Sequence, residues 1–119
     1  MDDIRRIEVG PRSSQAVIYN GTVHLAGQVA RGSENAPIAV QTREILANID
    51  RLLAAAGSDK SRLVSTTIFL SDFRNFDEMN NLWMAWVEPG CTPARAVVEA
   101  KLVTPGFGVE IFVQAAVAR

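Results

Sequence analysis

The sequence predicts an α+β fold with the element order βββαβαββ, and three observations carry that prediction. Short alternating or apolar stretches gather at both ends of the chain, two internal segments repeat apolar residues at helical spacing, and an unbroken β-branched and apolar run lies between those segments. At 119 residues, 48% hydrophobic and 21% charged, the chain has the size and composition of one domain over residues 1–119, built around one core.

The first third supplies the strands. Residues 4–9 and 15–29 alternate, and Asn20-Gly21 separates Val17-Ile18-Tyr19 from Thr22-Val23-His24-Leu25. Asn-Gly between such runs is the strongest short hairpin signal, because both residues tolerate the positive φ of a tight turn. Arg31 to Pro37, rich in Gly, Ser, Asn and Pro, reads as a loop. From Ile38 to Ala56, the positions Ile45, Leu46, Ile49, Leu52, Leu53 and Ala56 fall on one helical stripe, and Gly57 stops it. Leu63 to Leu70 reads as a strand buried on both faces or nearly so. Phe76, Met79, Leu82, Trp83, Trp86 and Val87 form a second stripe, closed by Pro89-Gly90.

The last third reads as a hairpin of Arg95 to Leu102 and Gly108 to Val117, turning at Thr104-Pro105-Gly106. On its first strand Ala96, Val98, Ala100 and Leu102 point one way, and Arg95, Val97, Glu99 and Lys101 the other. On its second, Val109, Ile111, Val113 and Val117 oppose Glu110, Phe112 and Gln114. Two helices cover the apolar face in this reading. The remaining face, half polar and half apolar, is either wet or meets the same face of a sister subunit; the oligomer, with small polar clefts between subunits, is the preferred reading.

Twelve basic against thirteen acidic residues give a net charge of −1, without the basic excess a phosphate-backbone binder needs, so no nucleic-acid partner is expected. Met1 to Arg6 lacks an apolar leader and no apolar run is long enough to span a bilayer, which points to the cytoplasm and to no membrane partner. One cysteine, Cys91, has no His or Lys beside it to activate it. His24 stands alone, with no metal-ligand spacing around it, and reads as structural; no metal site is expected.

Two charged residues in apolar surroundings remain. Arg95 is either one half of a salt bridge, to Glu99, Glu110 or another subunit, or the planar fork that grips a substrate carboxylate. Glu110, placed by alternation on Arg95's face, is either an ion-pair partner or a proton-transfer group whose pKa burial raises. In a simple hairpin register the two lie about four residues, roughly 13 Å, out of step. They can converge on a bound molecule more readily than on each other.

Several segments together resemble the reactive intermediate deaminase family, RidA, formerly called YjgF. These are Asn20-Gly21-Thr22-Val23-His24-Leu25-Ala26-Gly27-Gln28-Val29, Ala55-Ala56-Gly57, Leu63 to Asp72, Phe76-Asp77-Glu78-Met79-Asn80, Pro93-Ala94-Arg95-Ala96-Val97-Val98-Glu99-Ala100 and Val109-Glu110-Ile111. The resemblance implies a chorismate-mutase-like subunit, a mixed sheet with two helices on one face, packed as a homotrimer with clefts between subunits. It implies hydrolysis of 2-enamine or 2-imino acids to 2-keto acids and ammonia, with no metal or organic cofactor and a small carboxylate as substrate. By position, Arg95 would hold the carboxylate, Glu110 would orient or activate water, and Asn80, Gly27 and Gln28 would line the cleft. The chain departs from the better-studied branch at Ser13, where a Tyr is usual, and at Val97, where a Cys is common; both bear on pocket size. Non-catalytic binding or sensing of 2-keto or amino acids through the Arg95 pocket is the alternative.

Overall fold

A computed structural model describes residues 3–117 as one six-stranded sheet with two α-helices. In chain order the elements are β1 (Arg5–Val9), β2 (Ser14–Tyr19), β3 (Thr22–Leu25), α1 (Ile38–Ala55), β4 (Leu63–Leu70), α2 (Phe76–Trp86), β5 (Ala94–Glu99) and β6 (Val109–Ala116). The element order is the predicted one. Asn20 and Gly21 both have positive φ, 55° and 81°, the requirement of the tight β2–β3 turn. Gly57, at φ 81°, ends α1 as expected, and the Ser58 amide donates back to the Leu53 carbonyl at 2.8 Å.

The sheet runs β1-β2-β3-β6-β4-β5, antiparallel throughout except for the parallel pair β4–β5. This corrects the hairpin predicted for the last third. β5 and β6 do not pair; β4 lies between them. The reason is the connection: α2 joins β4 to β5 as a crossover, which returns the chain parallel to the strand it left. The segment after β5 then crosses the end of β4, where the Ala100 amide donates to the Leu70 carbonyl at 2.9 Å and the Ser71 amide to the Gly108 carbonyl at 3.1 Å. β6 is thereby delivered to the other side of β4.

Both helices lie on one face. Ile45, Ile49 and Leu53 of α1 and Met79 and Trp83 of α2 pack into one buried cluster with Ile68 and Ile111 of the sheet. Along β4 burial alternates, with Thr66, Ile68 and Leu70 buried on the helix side and Thr67 and Phe69 only half-buried on the other, so the predicted burial on both faces is corrected to burial on one. On the opposite side Phe69 and Phe112 meet edge to face at 5.8 Å, and Phe112 (38%) and Val98 (43%) stay exposed. His24, paired with Val17 and Gln114, also stands exposed on that open side.

Candidate functional site

Pairing decides which face each strand residue occupies. Arg95 pairs with Thr66, which pairs with the buried Val113, and Val97 pairs with Ile68. Arg95, Val97 and Glu99 therefore lie on the helix side, whereas Glu110, paired with Phe69, lies on the open side. The prediction that Arg95 and Glu110 share a face is overturned. Val98 is the residue level with Phe69 and Glu110, so Arg95 is three residues (98 − 95 = 3) and two strands away from Glu110. At roughly 3.3 Å per residue and 4.8 Å per strand, the backbones are about 14 Å apart, with the sheet between the side chains.

The Arg95 half stands at the β5 edge of the sheet. Its Nη1 donates to Asn80 Oδ1 of α2 at 2.7 Å, and its guanidinium carbon is 6.0 Å from the centre of the Phe76 ring. Phe76 in turn stacks on Phe73 at 5.1 Å. The side chain is exposed despite its apolar neighbours in sequence, and no carboxylate pairs with it among the described residues. Glu99 is engaged elsewhere, accepting from the Phe73 amide at 3.0 Å. Asn80 and Phe76 thus orient the fork and leave its remaining donors for an anion. Val97, two residues along on the same face, is half-buried against the core.

The Glu110 half is built on Gly27. A β-carbon at Gly27 would stand 2.2 Å from Glu110 Oε2 and 2.6 Å from Phe112 Cζ, so only glycine admits both side chains. Burial pushes the half-buried Glu110 carboxyl above its ordinary range, and the Arg31 charge offsets part of that rise. Gln28 bridges to Ile111, donating its amide at 2.9 Å and accepting at 3.1 Å, which fixes Gly27 beside Glu110. Gly27 also borders a cleft of about 530 Å³ that runs along α1, lined with it by Gln15, Gln28, Arg31, Asn48 and Arg51 and not by Glu110 itself. Ser13 is exposed in the β1–β2 connection, its carbonyl accepting from the Gly10 amide at 2.9 Å.

The predicted site residues therefore fall into two groups, Arg95, Asn80 and Val97 on one side and Glu110, Gly27 and Gln28 on the other. Phe76, Gln15 and Arg31 were not legible as site residues. Phe76 gave only a helical-stripe signal, and the other two gave none. Among the described residues no three His, Cys, Asp or Glu side chains gather in a metal-binding cluster.

Known proteins resemble this chain over almost its whole length. A RutC family protein of Haemophilus ducreyi is 41% identical over 114 residues, covering 96% of this chain and 97% of that protein. A rat protein named 2-iminobutanoate/2-iminopropanoate deaminase is 29% identical over 103 residues, covering 82% and 74%. A solved structure of a YjgF protein family member from Neisseria meningitidis superposes with a TM-score of 0.92 at 45% identity, covering 98% and 97%. The family profile described as Endoribonuclease L-PSP matches residues 4–117. With that match and relatives of this closeness, the chain belongs to the Endoribonuclease L-PSP family, the RidA/YjgF family that its motifs resemble.

Proposed function

We propose that this protein hydrolyses reactive 2-enamine and 2-imino acids to 2-keto acids and ammonia, in clefts between subunits of a homotrimer. The observation that carries the reading is the separation of the two halves. An arginine fork with free donors and a half-buried carboxyl stand on opposite faces of one sheet, so a site using both needs Arg95 from one copy and Glu110 from the next. The deaminase name of the rat relative supports the chemistry.

In that cleft Arg95, steadied by Asn80, would hold the substrate carboxylate bidentately. Water would attack C2 of the imine while Glu110 takes its proton. The carboxyl would return that proton to nitrogen to give the carbinolamine, then relay the carbinolamine's hydroxyl proton to nitrogen as well, and the C–N bond would break to release ammonia and leave the keto oxygen. Burial suits Glu110 to both transfers, since a raised pKa brings it nearer the operating pH. Imines already react with water, so orientation and polarisation are most of what the protein must add. The ribonuclease in the family's description is not carried over: the net charge is −1, and the one histidine is paired with Gln114, four residues along β6 from Glu110.

An amino-acid oxidase that generates imine in the presence of semicarbazide tests the reading. Wild type is expected to divert imine to keto acid ahead of the semicarbazone, and Arg95→Ala to lose about 2–4 kcal/mol of that acceleration while remaining folded. Undiminished turnover by Arg95→Ala would sink the assignment. Exposed Ser13 makes no side-chain hydrogen bond among the described residues and stands where the better-studied branch has a tyrosine, which favours one other reading, binding without catalysis. Its sign would be Arg95-dependent binding of keto acids with no acceleration by wild type.

A further inference from the structure

A chain of side-chain amides crosses the Glu110 half in one direction. Arg51 of α1 pairs with Glu8 of β1 and donates from Nε and Nη2 to Asn48 Oδ1 at 2.9 and 2.8 Å. Asn48 Nδ2 donates to Gln28 Oε1, and Gln28 Nε2 donates to Gln15 Oε1 at 3.0 Å and to the Ala26 carbonyl at 2.9 Å. Gln28 is only 3% exposed, so this side chain cannot trade its partners for water.

The direction is enforced at two points. A guanidinium only donates, so Asn48 must turn its oxygen to Arg51 and its nitrogen to Gln28. A backbone carbonyl only accepts, so Gln28 must turn its nitrogen to Ala26 and with it to Gln15. Both constraints agree, and inverting any amide would set donor against donor or acceptor against acceptor. Gln15 is the end of the line. Its oxygen is committed to Gln28, so its Nε2 faces away from Gln28, has no partner among the described residues, and belongs to a side chain bordering the same cleft as Gly27.

We infer that Gln15 is a ligand-contacting donor at the Glu110 half of the site, polarised for that task through Gln28 by Asn48 and Arg51, which act as positioning residues. This rests on the proposed reaction for the identity of the ligand. Two N–H groups suit an oxygen acceptor: the oxygen that water delivers to C2 and that remains as the keto oxygen of the product. They do not suit the N–H of an iminium, which needs an acceptor. Gln15 thus favours the tetrahedral intermediate and the 2-keto acid over the protonated imine.

Side-chain amide resonances of 15N-labelled protein, titrated with 2-oxobutanoate, give a direct test. The Gln15 amide pair is expected to shift on saturation, while those of Gln28 and Asn48 stay in place and exchange slowly throughout. Gln15→Glu, which keeps the acceptor for Gln28 but offers no donor, should weaken 2-oxobutanoate binding roughly tenfold, and Gln15→Met should weaken it less. Asn48→Asp keeps the acceptor for Arg51 and loses the donor to Gln28. It is expected to speed exchange at both glutamines and to lower kcat more than it changes KM. A Gln15 pair that stays still while the Gly27 amide shifts would overturn the inference and leave the deaminase reading standing. If wild type neither binds keto acid nor accelerates hydrolysis, both fall. Unchanged exchange at Gln15 and Gln28 in Asn48→Asp would separately refute the polarised chain.

Discussion

Glu110 shows how a single residue's chemistry follows from its surroundings. Packed on Gly27 and half-buried, its carboxyl is harder to ionise in the fold than in the unfolded chain. A raised folded pKa leaves no penalty below the ordinary carboxylate value of about 4.3 and weakens the fold as pH rises through the raised value. Glu110→Gln removes that dependence. Its melting temperature, measured by calorimetry, should match wild type near pH 4 and equal or exceed it at pH 8, while imine hydrolysis is lost. A variant that melts well below wild type at pH 8 alone would contradict the desolvation account. Arg95 and Glu110 both stood out in the sequence as charges in apolar strands. Of what they touch, Asn80 and Gly27 came only from the family resemblance and Phe76 from neither source, because all three reach them through the fold and not along the chain.

At the scale of elements, two connections hold the site. Gly27 lies where the chain leaves β3 for the loop to α1, and substituting Ala forces a methyl into Glu110 and Phe112. Gly27→Ala should cost about 1–3 kcal/mol in denaturant unfolding and depress turnover further than stability. The other connection is stapled by Gln41 of α1, 1% exposed, which donates to the Ala36 and Gly106 carbonyls at 3.0 Å each and accepts from the Gly108 amide at 2.9 Å. Gln41→Leu leaves those three backbone groups without their partner and should lower unfolding free energy by about 3 kcal/mol. Periodicity made the elements themselves legible, since helical stripes and the Asn20-Gly21 turn are local signals. Alternation within β5 and within β6 was legible as well. The relation between them was misread, because pairing partners are set by the α2 crossover.

For the molecule as a whole, two helices on one side leave the other side of the sheet open, and the two site groups lie on opposite faces. In the proposed assembly, a copy inactive through Arg95→Ala still offers a good Glu110, and a copy inactive through Glu110→Gln still offers a good Arg95. Unfolding and refolding the two together in equal amounts should restore about one active site in four, half times half, if adjacent copies complete each site. Mixtures as dead as either parent would place both residues in one chain's site or remove the site altogether; light scattering checks the trimer independently. The sequence by itself determined the element order, the amphipathic faces and the unusual charges, because each of these is written in the spacing of neighbouring residues. Only the tertiary structure decided that β4 separates β5 from β6 and that Arg95 and Glu110 look away from each other. A strand's alternation assigns its side chains to two faces but cannot name which face meets the helices; that is settled by the neighbouring strand, and the neighbour is chosen by the α2 crossover, outside the strand itself.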